Sequence, residues 1–325
     1  MSSSPSFIIV SGGDAKYFPL LADLVASIRR LAEGKQAALG MLDGGLAQEQ
    51  ISWFEAEGVK VVKPGWPVTS TEIRTRGREY LLINLNKPAL DQLFPDYDVI
   101  IWLDGDTWVQ TWDAIPLFIQ VARKGKLAVV SRASRLQTKH MRMQRRWFGW
   151  FEPRGVLYKN AKMAKLPSRL ALSLVNRPVL NAGAYALRQD VPHWERWRAW
   201  QKLCLRHGRP FCSDQLSLAL AVYEDRMPYE ALPEVCNYMG PWRIDRDKGL
   251  LVDYFAPYNP VSVVHLIGKN SERVMAGQTR QWIDQNDHPV DLFLGYNALN
   301  GQQAAVTGYH DDMPENVSPR SEKDQ

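Results

Sequence analysis

Eleven residues constrain this chain more than any others: Tyr97-Asp98-Val99-Ile100-Ile101-Trp102-Leu103-Asp104-Gly105-Asp106-Thr107. An unbroken apolar run of strand length reads as a strand covered on both faces, the signature of a largely parallel sheet. Such a sheet needs helical crossovers, so the expected fold is α/β with a Rossmann-like, mostly parallel central sheet flanked by helices. The run ends in two carboxylates separated by one small residue. Ligands of open α/β sheets bind at the carboxyl ends of the strands, where Asp104 and Asp106 lie. Their oxygens suit a hard divalent cation, Mn²⁺ or Mg²⁺, which in turn holds substrate phosphates. The plain alternative is a solvated Asp-Gly turn.

The remaining strands follow from similar runs. Phe7-Ile8-Ile9-Val10 opens the chain, turns at Ser11-Gly12-Gly13-Asp14 and enters a helix with Leu20, Leu21, Leu24, Val25 and Ile28 on one face. This strand–turn–helix unit is typical of nucleotide-binding α/β proteins, although it lacks the G-x-G-x-x-G fingerprint of dinucleotide sites. Asp14 either caps the helix or accepts a hydrogen bond from a base or ribose, and Tyr17 either packs or stacks on a base. Lys87 sits on a short helix just before the Asp-Gly-Asp strand. It is either a surface charge or a phosphate contact.

Pro178–Leu187 reads as a buried strand interrupted by Asn181-Ala182-Gly183, and glycine inside a strand often marks a close approach. Trp194, Trp197, Trp200 and Cys204 recur at helical spacing and read as core. Ser213-Asp214-Gln215 opens a helix that is apolar nearly all round. Val261–Ile267 is the last strong strand, and His265 at its end is a candidate third metal ligand. Gly268 and Lys269 follow, as a phosphate-binding turn requires.

Charge is uneven. The net value is only +5 over 325 residues. Between Arg132 and Arg169, however, eleven basic residues face one acid, Glu152, with Trp147, Phe148, Trp150 and Phe151 among them. Such a basic insertion, about 132–170, fits an anionic acceptor or a membrane surface; nucleic acid is not expected, because the rest of the chain reads as a small-molecule enzyme. Arg142, Arg145, Arg146 and Trp147 are the candidate acceptor contacts. Three cysteines without metal spacing, no secretory leader and no transmembrane stretch lead to the expectation of a cytoplasmic protein, peripheral at most on the inner membrane face. A single domain over 1–296 and a polar, disordered tail over 297–325 complete the expected organisation.

In chain order, Asp14 with Tyr17, Lys87, Leu103-Asp104-Gly105-Asp106, Asn181-Ala182-Gly183, Ser213-Asp214-Gln215 and His265-Leu266-Ile267-Gly268 resemble the motifs of retaining glycosyltransferases of the GT-A fold, specifically glycosyltransferase family 8. The resemblance covers about residues 7 to 270. It implies that Asp104, Asp106 and His265 hold Mn²⁺ on the diphosphate of a nucleotide sugar, usually a UDP-sugar. It places Ser11, Asp14, Tyr17, Lys87, Gly105, Gly268 and Lys269 on the donor, with Lys87, Asn181, Asp214 and Gln215 lining the sugar pocket. It further implies hexose transfer with retention to a glycan, glycolipid or other acceptor. Asp214 would stabilise an oxocarbenium-like centre or act as nucleophile, and Gln215 would be a weak nucleophile at best. The sequence departs from the family after Gly268: the usual Lys three residues on is replaced by Ser271, and Lys269 follows Gly268 directly. Two other classes remain open on sequence alone. One is a haloacid-dehalogenase-type phosphatase or phosphotransferase, although Trp108 holds the position where that motif carries Thr or Val. The other is a catalytically silent nucleotide-sugar-binding protein.

Overall fold

The computed structural model describes residues 7–67, 75, 78, 80–133, 135, 142–145, 149, 151–211 and 213–296. The expected tail over 297–325 lies outside them. Fifteen strands are described: β1 (Phe7–Gly13), β2 (Ala38–Asp43), β3 (Val59–Val62), β4 (Val99–Leu103), β5 (Thr107–Val109), β6 (Leu127–Ser131), β7 (Arg142–Arg145), β8 (Phe151–Arg154), β9 (Leu180–Arg188), β10 (Tyr229–Leu232), β11 (Arg243–Asp245), β12 (Leu250–Val252), β13 (Val263–His265), β14 (Arg280–Asp284) and β15 (Pro289–Leu292).

Seven of these form the central sheet, in the order β10-β6-β9-β4-β1-β2-β3. β4, β1, β2 and β3 run parallel, as do β10 and β6. β9 runs against both of its neighbours. Its apolar run foretold burial but not direction, because a strand covered on both faces looks alike either way. The chain passes from β1 outward to β3 and then returns to β4 on the other side of β1. That reversal opens a crevice at the carboxyl ends of β1 and β4.

All five residues of β4 are buried. Ile101 packs on one face with Leu21, Leu24 and Val25 of the Phe18–Arg30 helix, and Trp102 on the other with Tyr185, Trp194 and Trp197. Truncating a side chain such as Ile101 to Ala removes about 2–5 kcal/mol. The helical tryptophan stripe is core as expected, with Trp194 and Trp197 stacked at 6.3 Å and Trp200 only partly covered.

A second, four-stranded sheet, β12-β11-β14-β15, has its own apolar cluster around Trp242, Ile244 and Leu292. None of its four strands was legible as a strand in the sequence; β14 and β15 mix charged and polar residues with few apolar ones. A buried amide just after β5 ties β12 to the start of the β13 segment. Gln110 Nε2 donates to the carbonyls of Leu251 and Val261, and its Oε1 accepts from Leu251 N–H at 2.7 Å.

The basic segment does not fold as one exposed insertion. β7 and β8 form an isolated hairpin in which Met143, Arg145 and Phe151 are exposed. The following helices, Val156–Met163 and Ser168–Ser173, bury Leu157, Ala161, Leu166 and Ala171 against Leu216, Ala219 and Leu220. Their basic residues occupy only the outward faces, so the apolar positions between them sufficed to build a small core. Arg146 and Trp147 lie outside the described residues.

Candidate metal centre and sugar-nucleotide cleft

Asp104 begins the turn after β4. Its backbone N–H donates to the Gly183 carbonyl at 2.7 Å, and its own carbonyl accepts from Thr107 N–H and Thr107 Oγ1. This tight turn lies on the end of β1, and Gly105 permits it: a Cβ there would stand 2.8 Å from Leu21 Cδ2 and 3.1 Å from the Gly12 carbonyl. β5 leaves the turn and pairs antiparallel with β13, setting His265 opposite Thr107. The Asp106 carbonyl accepts from Leu266 N–H at 2.8 Å. Two segments far apart in sequence are thereby locked together, and Asp104, Asp106 and His265 converge with ligand atoms within 4.8 Å of one another.

Each carboxylate has one oxygen tethered and one turned to the histidine. Asp104 Oδ1 accepts from Lys87 Nζ at 2.7 Å and Trp102 Nε1 at 2.8 Å, and Oδ2 lies 3.9 Å from His265 Nε2. Asp106 Oδ2 accepts from Ser271 Oγ at 2.9 Å, and Oδ1 lies 3.3 Å from His265 Nε2. His265 Nδ1 meets Asn237 Oδ1 at 2.8 Å. With that nitrogen carrying the proton, Nε2 keeps its lone pair for a cation, the arrangement common to metal-binding imidazoles. The donor set fits one divalent ion. Gly183 closes the back of the site, since a Cβ there would lie 2.5 Å from His265 Cε1 and 2.7 Å from Asp104 Oδ2.

The electrostatics agree. Burial raises the carboxyl pKa of Asp106, but the imidazole beside it outweighs burial and holds it below the usual value of 3.8. Burial likewise opposes charge on His265, and Asp106 with Asp104 overcomes that and raises it above 6.5. The imidazole and the carboxylates form an ion pair that a cation would replace.

Lys87 is not the surface charge its residue type suggested. It is buried, and its Nζ bridges Asp104 at 2.7 Å and Asp214 Oδ2 at 3.2 Å, with a third bond to the Ala182 carbonyl. Desolvation favours the neutral amine, but the two carboxylates prevail and its pKa is raised. Ser213 Oγ bonds the Pro210 carbonyl at the head of the Ser213–Tyr223 helix, whose first turn delivers Asp214 to Lys87. Gln215 Nε2 donates to the Leu180 carbonyl, leaving its own oxygen available. Asn181 Oδ1 accepts from Gly183 N–H, the ordinary backbone-satisfying role, and its amide nitrogen reaches Met239 Sδ.

Beside the metal cluster lies a cleft of about 180 Å³ lined by Gly12, Gly13, Asp14, Tyr17, Tyr80, Trp102, Asp104, Gly105 and Asp106, among others. Asp14 caps Tyr17 N–H at 3.1 Å, so its structural role is real and coexists with a place on the cleft wall. Burial, then the Asp106, Asp14 and Asp104 carboxylates, pushes the Tyr17 phenol up to about 12. Ser11 lies one residue further down β1, buried, and its Oγ has no hydrogen-bond partner among the described residues. Gly268, with φ +60°, and the exposed Lys269 open the Lys269–Met275 helix; neither lines the cleft. Trp102, Asn237 and Ser271 were not anticipated as site residues. Trp102 carried a signal only in its nearness to Asp104 and Ser271 only in its place at the position where related motifs carry Lys, while Asn237, 28 residues from His265, carried none. Cys204 and Cys236 are buried free thiols with pKa values raised to about 12 by burial, as packed cysteines should be.

No family model and no curated protein matches the chain. Solved structures do. An active-site glutamine-to-glutamate mutant of LgtC is 15% identical with a TM-score of 0.51, over 83% of this chain and 95% of the other. The apo form of the bifunctional glycosyltransferase WbbM is 16% identical with a TM-score of 0.50, over 82% of this chain and 46% of that one. A complex of the galactosyltransferase LgtC with donor and acceptor sugar analogues is 14% identical with a TM-score of 0.48, over 80% of this chain and 87% of the other. The fold is therefore GT-A, with Asp104, Asp106 and His265 gathered at the end of its fourth strand where they could hold a metal ion. No helix among the described residues is long and apolar enough to cross a membrane.

Proposed function

We propose that this chain is a metal-dependent glycosyltransferase that moves a hexose from a nucleotide sugar, a UDP-sugar, to a glycan or glycolipid with retention of anomeric configuration. One observation carries the reading: two carboxylates and an imidazole converge within 4.8 Å on the edge of a cleft lined by Asp14 and Tyr17, with a Lys–Asp pair joined to the same cluster. Asp104, Asp106 and Asp214 against Lys87 leave two uncompensated negative charges when His265 is neutral, which one Mn²⁺ or Mg²⁺ would cancel. When bound, that ion would polarise the diphosphate and stabilise charge on the leaving oxygen.

The protein's own groups have distinct tasks in this reading. Asp14 and Tyr17 hold the base and ribose. Lys87 pairs with Asp214 and adds positive charge beside the sugar, and Lys269 meets the diphosphate from the turn after His265. Asp214 either stabilises positive charge at the anomeric carbon or attacks it, with Asn181 and Gln215 orienting the sugar. The basic segment that carries Arg142, Arg145, Arg146 and Trp147 draws an anionic acceptor or the inner membrane face by charge. The place of the Asp-Gly-Asp motif on the fourth strand of a GT-A sheet counts against the haloacid-dehalogenase alternative.

The test is a UDP-sugar panel with Mn²⁺, read as UDP released and UDP bound. Release with at least one donor is expected. Binding without any turnover would assign a silent nucleotide-sugar-binding protein, and absence of both would remove the proposal.

A further inference from the structure

Seven large apolar side chains are exposed among the described residues, and four of them, Met143, Phe151, Val156 and Leu172, fall in one short part of the chain. Phe151 is 65% exposed and Leu172 57%, so both rings and branches stand nearly bare. The pairing register sets Met143 opposite Pro153 and Arg145 opposite Phe151, which puts these four on one face of the β7–β8 ribbon. Glu152, the one acid of the basic segment, pairs with Gln144 at the intervening position. Among the described residues β7 and β8 join no larger sheet. A two-stranded hairpin is marginal in water by itself and gains from a surface to lie on.

The following helices continue the pattern. Val156 opens the Val156–Met163 helix, Lys159 and Lys162 are exposed along it, and Lys165 and Arg169 are exposed beyond it. None of these four cations is paired with a carboxylate among the described residues. Bare apolar side chains interleaved with Lys and Arg discriminate among partners. The packed core of a protein interface is depleted in lysine, and a second copy of the chain would bring the same basic residues against themselves. A soluble polyanion would be held by charge and would leave Met143 and Phe151 in water. An anionic bilayer takes both kinds of side chain. Its headgroup phosphates meet the cations, whose stems lie along the apolar boundary into which the methionine and phenylalanine dip.

We infer that the Met143–Phe151 face of the hairpin, with the exposed side of the helices after it, is a docking surface for a bilayer rich in anionic phospholipid. The inference deepens the glycosyltransferase reading, which left the basic segment a choice between an anionic acceptor and a membrane, and it rests on that reading only for what the docking serves. The link to the site is physical. Leu157, Ala161 and Leu166 beneath the exposed cations pack against Leu216, Ala219 and Leu220 of the Ser213–Tyr223 helix, whose first turn carries Asp214. The docked segment and Asp214 thus belong to one packed unit.

The probes are vesicles of phosphatidylcholine alone and of phosphatidylcholine with about one-third phosphatidylglycerol, mixed with the full chain and sedimented. The anionic vesicles should bind the protein about tenfold or more tightly than the neutral ones, by a margin that shrinks in high salt. Each cation near such a surface contributes about fivefold, so Lys159→Gln, Lys162→Gln and Arg169→Gln together should weaken binding on the order of 100-fold. Met143→Ser with Phe151→Ser keeps every charge and should weaken vesicle binding about tenfold, while retention on a heparin resin stays the same. Circular dichroism reports that each variant is folded. Failure of the unaltered protein to bind the anionic vesicles would overturn the inference. So would vesicle binding that the Met143 and Phe151 replacements leave untouched, which would mark a surface for soluble polyanions. A dimer in sedimentation velocity that those replacements dissociate would overturn it too, and would assign the face to a second copy of the chain. UDP titration with Mn²⁺ separates the two readings: a chain that docks on vesicles but binds no UDP loses its glycosyltransferase assignment and keeps its docking surface.

Discussion

Replacing Lys87 by Met tests the reading of the site at its most sensitive point. The side chain is nearly isosteric, so the loss is one of charge and hydrogen bonds rather than volume. Lys87 Nζ serves Asp104 at 2.7 Å, Asp214 at 3.2 Å and the Ala182 carbonyl at 3.2 Å. Its side chain is 3% exposed and that of Asp214 8%, so Asp214 would be left charged with little water to receive it. Asp104 is better placed, at 28% exposure and with the Trp102 bond intact. Removing one member of a buried ion pair costs about 3–5 kcal/mol; partial hydration of Asp104 argues for the lower end, about 3 kcal/mol. At about 2.1 cal/mol/K of unfolding entropy per residue, a chain of 325 residues would show a Tm lower by roughly 4–5 °C. The sign of the pH effect follows from the raised pKa of Lys87. Its stabilisation is fully present below the unfolded lysine value of 10.5 and fades only as pH rises through the higher folded value. The penalty in the variant should therefore be the same at every pH below that value and shrink only as pH rises through it. Urea unfolding of metal-free protein at pH 5 and pH 7.5 measures both. Adding Mn²⁺ should recover part of the loss by neutralising Asp104. A variant as stable as the parent at pH 7.5 would refute the claim that Lys87 neutralises Asp104 and the buried Asp214.

Further expectations concern the metal cluster. Asp106→Asn should leave the far-ultraviolet circular dichroism unchanged and abolish detectable Mn²⁺ binding by electron paramagnetic resonance; retained binding would remove Asp106 from the ligand set. Ser271→Ala and Asn237→Leu, which free the tethered oxygen of Asp106 and the Nδ1 of His265, should each lower Mn²⁺ affinity by about 10–100-fold, with no change meaning that neither tether matters. In the metal-free protein the His265–Asp106 pair should stabilise between the two perturbed pKa values. Its contribution falls away as pH drops through the Asp106 value below 3.8 and as pH rises through the His265 value above 6.5. His265→Gln compared with the parent by urea unfolding over that range should show the largest difference between those limits, and a flat difference would contradict the pairing. Gly183→Ala forces a methyl within 2.7 Å of His265 and Asp104 and should cost about 1–3 kcal/mol along with metal affinity; a neutral outcome would show that the site can yield.

The sequence made the site legible wherever a ligand ended a buried run. Asp104 follows β4 directly, Asp106 lies in the same turn and His265 ends β13, and the end of β4 is visible as an abrupt break in apolar patterning. Gly183 was legible as a close approach, and the approach proved to be to His265 and Asp104. The tethers were not legible, because they depend on contacts such as Ser271 to Asp106 and Asn237 to His265 that no local pattern encodes. Lys87 was ambiguous for the opposite reason. Its sequence neighbours are ordinary helix residues, and its burial comes from Asp214 arriving from a helix more than a hundred residues later. The direction of β9 was hidden because periodicity reports burial and not polarity of the chain. The second sheet was hidden because β14 and β15 mix charged residues with few apolar ones, and their burial depends on Trp242 and Leu251 beneath them.

The pairing of β5 with β13 has a consequence for the order in which the molecule is made. The Ser271–Asp106 bond spans 165 residues, so the two carboxylates emerge from the ribosome roughly 10–30 s before the histidine at about 5–20 residues per second. During that interval Lys87 and Trp102, both synthesised before Asp104, are already at hand to hold one of its oxygens. The nascent chain thus carries a partly neutralised acidic turn, and the complete ligand set forms only when the C-terminal third closes over it. The amide of Leu266, bonded to the Asp106 carbonyl, is the natural reporter. In pulsed hydrogen exchange during refolding it should gain protection after the amides that join β1 to β4, and simultaneous protection would show that the two halves close as one.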